Sequence, residues 1–379
     1  MNLELNDDQR MLQDSVRNWL AKEYDHAAWR EVVRRQKGFS AHAWAQFAEM
    51  GWLAASLPAA HGGLDGGAVE NGVIGDAFGE ALVLEPFLST VVLGAGLIAR
   101  AGSAAQAADY LPRIAAGQLR CAFAFAEKGA RFSPANAETR ALREGGGWVL
   151  EGEKISVWDA PGADLHIVLA RSAGARGDAG GLGLFLVKAG APGLSVEAFP
   201  MVDHRPGAHL RFHEVRAEAV LGDGESALDA VLQVLDLGMA YLAAEATGAM
   251  RAATRLTVDY LQQRKQFGQA LASFQVLRHR VVDMRIQLEC TQSLAMHAAQ
   301  SAELGGAAFA QAAAAAKVQA GRAGREVGQA AVQLHGGMGM TDELAVGQYL
   351  KRLLMIDMAF GNADHHQSRF ARLSNAQPA

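Results

Sequence analysis

Gln333-Leu334-His335-Gly336-Gly337-Met338-Gly339-Met340-Thr341-Asp342-Glu343 interrupts a long helical pattern with three glycines in four positions. Glycine adopts positive φ freely and lets another molecule approach the main chain closely. On its own the stretch reads equally well as a helix–helix turn, with Thr341 placed to cap the next helix and Asp342 and Glu343 favouring its dipole. Its glycine spacing differs from a dinucleotide fingerprint, which follows a strand, and no Gly-Lys-Ser/Thr ends it as in a P-loop. Upstream lies Arg264-Lys265-Gln266-Phe267-Gly268, followed by Phe274-Gln275, after a helix expected over about 231–261. A guanidinium fork, a flat ring and exposed backbone suit a diphosphate and an adenine. A basic helix terminus closed by glycine explains the same residues.

Outward from these clusters the period changes twice. Residues 1–118 read as an N-terminal helical domain. There Asp7 is expected to cap the run Met11, Leu12, Ser15, Val16, Trp19, Leu20, and Trp44, Phe47, Ala48, Gly51 form a second apolar face. That face ends at Leu57-Pro58 and the turn-rich His61-Gly62-Gly63-Leu64-Asp65-Gly66-Gly67. Residues 119–222 alternate short apolar segments (121–126, 148–152, 165–170, 182–187, 194–199, 209–213) with glycine clusters at 145–147 and 172–183, the signature of a middle antiparallel β-domain. Residues 223–379 return to helical spacing as a C-terminal bundle. Its alanine tract at 307–316 either permits close packing or simply favours helix. The fold class is therefore α+β, in the order helices, strands, helices.

Of the 379 residues, 35 are Lys or Arg and 40 Asp or Glu, a net charge of -5 that gives no basic field for nucleic acid. Cys121 and Cys290 form no CxxC pair, which argues against a disulfide scaffold or a zinc site and suits a reducing compartment. The start, Met1-Asn2-Leu3-Glu4-Leu5-Asn6-Asp7-Asp8, lacks a signal-peptide pattern. The run 91–99 is too short and glycine-broken to span a membrane, so no membrane association and a cytoplasmic location are expected.

Together the two clusters resemble the signatures of the acyl-CoA dehydrogenase family. Arg264, Phe267, Gly268, Phe274 and Gln275 match its R-x-x-F-G…F-Q pattern. Gln333, Gly336, Gly337, Gly339, Thr341 and Glu343 match Q-x-x-G-G-x-G-x-T-x-E. Phe47-Ala48-Glu49-Met50-Gly51-Trp52-Leu53 with Pro58 and His61-Gly62-Gly63, and Gly152-Glu153-Lys154 after a strand, look like the same family. The resemblance covers almost the whole chain and implies a four-helix C-terminal bundle, an FAD cofactor and an acyl-CoA substrate. In that chemistry a glutamate removes the α-proton while hydride passes to the flavin. It further implies that Arg264, Phe267, Gly268, Gln275, Gln333, Gly336 and Gly337 contact FAD held by a neighbouring subunit, and that an electron-transfer flavoprotein is the acceptor.

The chain departs from the family where the base belongs. The usual position, just before a glycine near the C-terminus, is Phe360 in Met358-Ala359-Phe360-Gly361-Asn362; the minor position falls on Gly238. Neither accepts a proton. Glu245, two helical turns beyond Gly238, is the alternative base, and Glu85 a lesser one that reads as a helix-end charge. The family's own-flavin strand appears as Ala126-Glu127-Lys128-Gly129-Ala130-Arg131-Phe132, with only Glu127 kept. The strand covering the flavin reads Ser156-Val157-Trp158, and an arginine on the CoA side is replaced by Met239. The resemblance thus points to the second subunit of a heteromeric enzyme, such as those handling pimeloyl-CoA or steroid side chains. It would pair with a paralogous dehydrogenase subunit rather than only with copies of itself. The alternatives are an autonomous flavoenzyme with a relocated base or non-dehydrogenase chemistry, and a non-catalytic scaffold. His365-His366 make an improbable metal pair, His335 reads as packing, Arg34-Arg35 as solvated, and Met338, Met340, Met355 and Met358 as adaptable packing.

Overall fold

The computed structural model describes residues 4–34 and 38–375. In chain order the helices are α1 (Asp7–Glu23), α2 (His26–Arg34), α3 (Ala41–Glu49), α4 (Ala68–Ala81), α5 (Gly96–Ala101), α6 (Ala104–Ala115), α7 (Leu228–Gln263), α8 (Gln275–Ser301), α9 (Gly306–His335), α10 (Val346–Met358) and α11 (Ala363–Asn375). The strands are β1 (Cys121–Ala124), β2 (Arg140–Glu144), β3 (Gly147–Trp158), β4 (Leu165–Arg171), β5 (Leu182–Lys188), β6 (Leu194–Pro200), β7 (Pro206–Arg216), β8 (Ala219–Leu221), β9 (Lys265–Gln266) and β10 (Gln269–Ala270). The three sequence regions distribute over two compact units, one holding the chain up to Glu31, Ala68–Val83 and everything from Met239, the other Val32–Gly67 and Leu84–Gly238.

The first unit is helical. α1 is capped by Asn6, whose side chain accepts from the Gln9 amide while the Gln9 side chain accepts from Asn6 N, a reciprocal box. Asp7 is therefore not the cap but the first helical residue, an acidic charge at the positive end of the dipole. The alanine tract packs closely: Ala310, Ala312, Ala313, Ala314 and Ala316 are buried in α9. Further along α9 a Cβ on Gly328 would lie 2.8 Å from Leu350 of α10, and one on Gly324 would lie 3.1 Å from Leu353. α4 and α7 approach backbone to backbone. A Cβ on Gly79 would meet the Glu245 carbonyl oxygen at 1.9 Å, and one on Gly248 the Asp76 carbonyl oxygen at 1.8 Å. Only glycine fits both positions.

The second unit is built on an eight-stranded sheet in the order β6-β7-β3-β2-β4-β5-β8, with β1 paired to β4. Every segment expected as a strand is one. β1 and β2 run parallel to β4, so the sheet is mixed rather than wholly antiparallel. The glycine cluster at 145–147 does form a hairpin: Gly145 (φ +55°) and Gly146 (φ +78°) join β2 to β3 with both central residues left-handed. Leu150, Phe185, Val187, Leu210 and Phe212 centre its core. The apolar run near 91–99 is a buried π-helix, Leu88–Ala95, continuing into α5. One helix, α7, is long and apolar enough to cross a membrane, although charged residues interrupt it. Its most apolar window, in α7, has mean hydropathy 1.2 but is 78% buried within the protein, as a core helix would be.

Gly248→Ala should cost about 2–3 kcal/mol, the upper part of the overpacking range, in urea unfolding. A loss below about 0.5 kcal/mol would mean that the two backbones are not in contact.

Candidate FAD-clasp site

α7 ends at Gln263, and Arg264 N still donates to the Tyr260 carbonyl at 2.8 Å. The chain then reverses in the β9–β10 hairpin, whose two-residue tip is Phe267 (φ +53°) and Gly268 (φ +80°). Leu271 N returns to the Arg264 carbonyl at 2.8 Å and closes the loop. α9 stops at His335 because Gly336 takes φ +60°, and a short 3₁₀ turn follows over Gly336–Met340. The two chain ends meet at a groove of about 610 Å³ whose lining includes Arg264, Gln266, Arg280, Gln333, Gly336 and Gly337. Beside Gly268, Gly336 and Gly337 the space a Cβ would occupy is clear to 4 Å, so main chain is open to a ligand there.

Of the residues singled out from sequence, Arg264, Gln333, Gly336 and Gly337 thus share one groove. Phe267 and Gly268 stand on the adjoining hairpin tip, with the Phe267 ring 89% exposed and edge-on to Phe274 at 6.2 Å. Gln275 starts α8, exposed and outside the lining. Arg280 was missed: it lies one helix further on, and only the α8 direction brings it to Arg264. His335 is a floor residue, stacked on Tyr260 at 4.4 Å and donating from Nδ1 to the Ala331 carbonyl at 2.8 Å. Burial pushes its pKa down, so it adds no charge to the groove. Thr341 caps no helix: its hydroxyl donates to the Met338 carbonyl at 2.9 Å, and α10 begins only at Val346. Met338, Met340 and Met358 are surface residues, not packing; Met340 is 80% exposed.

The residues that the sequence reading set at the base positions are placed as follows. Phe360 (φ +57°) and Gly361 form the turn after α10. The Phe360 carbonyl accepts from His366 Nε2 at 3.1 Å, and buried Lys317 donates to the carbonyls of Asp357 at 2.8 Å and Gly361 at 2.7 Å. Gly238 is buried within α7. Glu245 is not a free base. Its two oxygens accept from Arg352 Nε at 2.8 Å and Nη2 at 2.7 Å, with both side chains almost wholly buried. Glu85 accepts from the Ser40 amide at 2.9 Å, next to the start of α3. Among the described residues no three His, Cys, Asp or Glu side chains gather as metal ligands. His365 and His366 cross edge-to-face at 4.9 Å. Arg34 is exposed; Arg35 lies outside the described residues.

Comparison with known proteins decides the family. The acyl-CoA dehydrogenase N-terminal domain matches residues 6–118, the middle domain 122–215 and the C-terminal domain 228–373. The chain belongs to the acyl-CoA dehydrogenase family. It is 26% identical over 379 residues to the probable acyl-CoA dehydrogenase YngJ of Bacillus subtilis, covering 98% of this chain and 99% of that one. Among solved structures, the Tcur3481-Tcur3483 steroid ACAD G363A variant is 30% identical with a TM-score of 0.88, covering 97% and 98% of the two chains. The ChsE4-ChsE5 complex from Mycobacterium tuberculosis, 24% identical with a TM-score of 0.90 over all of both chains, shares the fold.

Members of the acyl-CoA dehydrogenase family are FAD-dependent oxidoreductases. The groove fits the diphosphate half of that cofactor: two exposed guanidinium groups, an amide and open glycine backbone converge on it. Glu127 is a staple, accepting from Lys154 Nζ at 2.5 Å, Glu138 N at 2.6 Å and Thr139 N at 3.0 Å. Burial raises its pKa, but Lys154 and these hydrogen bonds outweigh that and hold it low. Burial likewise lowers Lys154 to about 8 against the pull of Glu127.

Glu245→Gln should destabilise the fold by about 3–5 kcal/mol, because Arg352 is left charged and buried. A thermal midpoint unchanged from wild type would contradict the pair. Burial lowers Lys317 from 10.5 to about 7, the nearby Asp357 charge only partly opposing it. Between those values the unfolded chain binds a proton that the folded chain does not, so this site's contribution is complete above pH 10.5 and is lost as pH falls toward 7. The neutral amine still has two N–H groups for its two carbonyls. Relative to Lys317→Met, wild-type stability in urea should therefore rise by up to about 1.4 kcal/mol per pH unit from pH 8 to 10. A flat difference would mean that Lys317 is not buried as the ammonium's competitor.

Proposed function

We propose that this chain is one subunit of a heteromeric acyl-CoA dehydrogenase and supplies the outer half of the FAD site of a paralogous partner. The observation that carries the reading is an asymmetry. Arg264, Arg280, Gln333, Gly336 and Gly337 line one groove, while Glu245 is held by Arg352, and the sequence resemblance sets Phe360 and Gly238 at the positions of a base. Arg264 and Arg280 would hold the diphosphate by charge-assisted hydrogen bonds, Gln333 and the open glycine backbone would add neutral ones, and Phe267 would lie against a flat ring. FAD, when bound, accepts the hydride from an acyl-CoA substrate; the α-proton would go to a carboxylate of the partner. The two-component description of the Tcur3481-Tcur3483 steroid ACAD, 30% identical, supports the arrangement. An electron-transfer flavoprotein as acceptor and a cytoplasmic location belong to the same reading, the latter in keeping with two free cysteines.

The test is the ratio of flavin absorbance near 450 nm to protein. The chain co-purified with its partner should hold one FAD per two chains, the chain alone far less, and Arg264→Ala should weaken FAD retention in the complex roughly tenfold. A homomer that keeps one FAD per chain and dehydrogenates an acyl-CoA overturns the reading.

A further inference from the structure

A second cavity, about 340 Å³, opens in the helical unit among α1, α4, α7 and α8, and no part of it belongs to the FAD groove. One end is apolar and made of small groups: Val69, Gly72, Val73, Ala244, Ala295 and Ala299. The other end is cationic. Asp76 Oδ2 accepts from Arg17 Nη2 and from Arg251 Nη1, both at 2.8 Å, so one carboxylate serves two guanidinium groups. Glu80, 3.8 Å from Arg251, is held at 2.7 Å by Arg255, and Glu289 is paired with Arg285. Of the charged groups that line the cavity, Arg17 and Arg251 face the single carboxylate of Asp76, which leaves one positive charge in excess at its wall. Arg17 Nε, itself buried, has no hydrogen-bond partner among the described residues.

The glycines of α4 show that the space is kept open rather than left over. Gly79 is required by the α7 backbone, and at Gly75 a Cβ would press on the Tyr241 ring at 2.9 Å. Gly72 has no such reason. A Cβ there would rest 3.7 Å from Ala244 and 4.0 Å from Ala299, ordinary contacts, although glycine is unfavourable inside a helix. What glycine does at 72 is leave the cavity floor bare. This cleft pairs an apolar floor with a guanidinium in excess of the carboxylates around it, as a pocket for an amphipathic ligand does.

We propose that this cavity binds a small monoanion with an apolar tail, an alkyl carboxylate, with its carboxylate against Arg17 and Arg251 and its tail over Gly72. Arginine pairs with a carboxylate through two parallel N–H donors, which gives the charged end its preference. Octanoate is the probe, octanamide its neutral counterpart, each titrated calorimetrically into the full chain together with any co-purified partner. Octanoate should bind saturably, and octanamide roughly tenfold more weakly or worse. Gly72→Leu should remove octanoate binding, and Arg17→Gln, with its thermal midpoint measured alongside, should abolish the preference for the anion over the amide. Equal affinity for acid and amide, no binding of octanoate, or octanoate binding unchanged in both variants, which would place it at another pocket, overturns the proposal.

Discussion

The bidentate contact of Glu245 with Arg352 joins α7 to α10 in the interior of the helical unit, and much else is set by it. A buried ion pair is a poor source of net stability, since desolvating both charges offsets most of their attraction, but it tolerates only one geometry. That geometry fixes the height of α10 along α7. Tyr349, one turn before Arg352, then donates to the Glu80 carbonyl at the end of α4, at 2.6 Å. The glycine crossing of α4 over α7 brings the same three helices together from the other side. The turn at Phe360 inherits its position from this arrangement, and so does the C-terminal end of α9, against which α10 is packed.

The charges of the unit divide by partner. In the interior, Arg352 is matched by Glu245, and Lys317 donates to two carbonyl oxygens. At the proposed FAD groove the arrangement differs. Arg264 and Arg280 have no carboxylate within ion-pair reach among the described residues, and both remain in solvent, where keeping a charge costs little. Positive charge held at a surface without an internal partner, beside glycine backbone with nothing over it, is the condition for gripping a phosphate supplied from outside.

Sequence reading reached the period-driven part of this structure and stopped at what is decided across space. Five of the six apolar segments of the sheet were legible because each buries residues, whereas β6 buries none and was legible only from its alternating apolar positions; β2 was not, since only Ala141 of Arg140–Glu144 is buried, and β8 has three residues. Asn6 outcompeted Asp7 for the cap because Gln9, three residues on, completes a reciprocal box. Thr341 looked like a cap because the start of α10 cannot be placed within four residues by composition. Glu245 looked available because its partner is 107 residues away. Within the proposed FAD groove the glycines and Arg264 carried a local signal, whereas Arg280 acquires its place only from the angle at which α8 leaves the hairpin.

Phe267 ties the fold to the proposed use of the groove. A bulky residue at φ +53° is an outlier, and the left-handed pair at a two-residue hairpin tip is normally filled by asparagine and glycine. Here the strained position also holds one of the most exposed rings of the chain, so neither local conformation nor burial within this chain rewards phenylalanine. Asparagine would serve the turn better and water better. Strain of this kind is retained where the surroundings of the working molecule make use of it. The neighbouring arginine and open glycines supply charge and main-chain donors but no flat apolar surface, and the ring adds it. On the proposed reading, the ring would lie against something planar and anionic held by another chain across the groove.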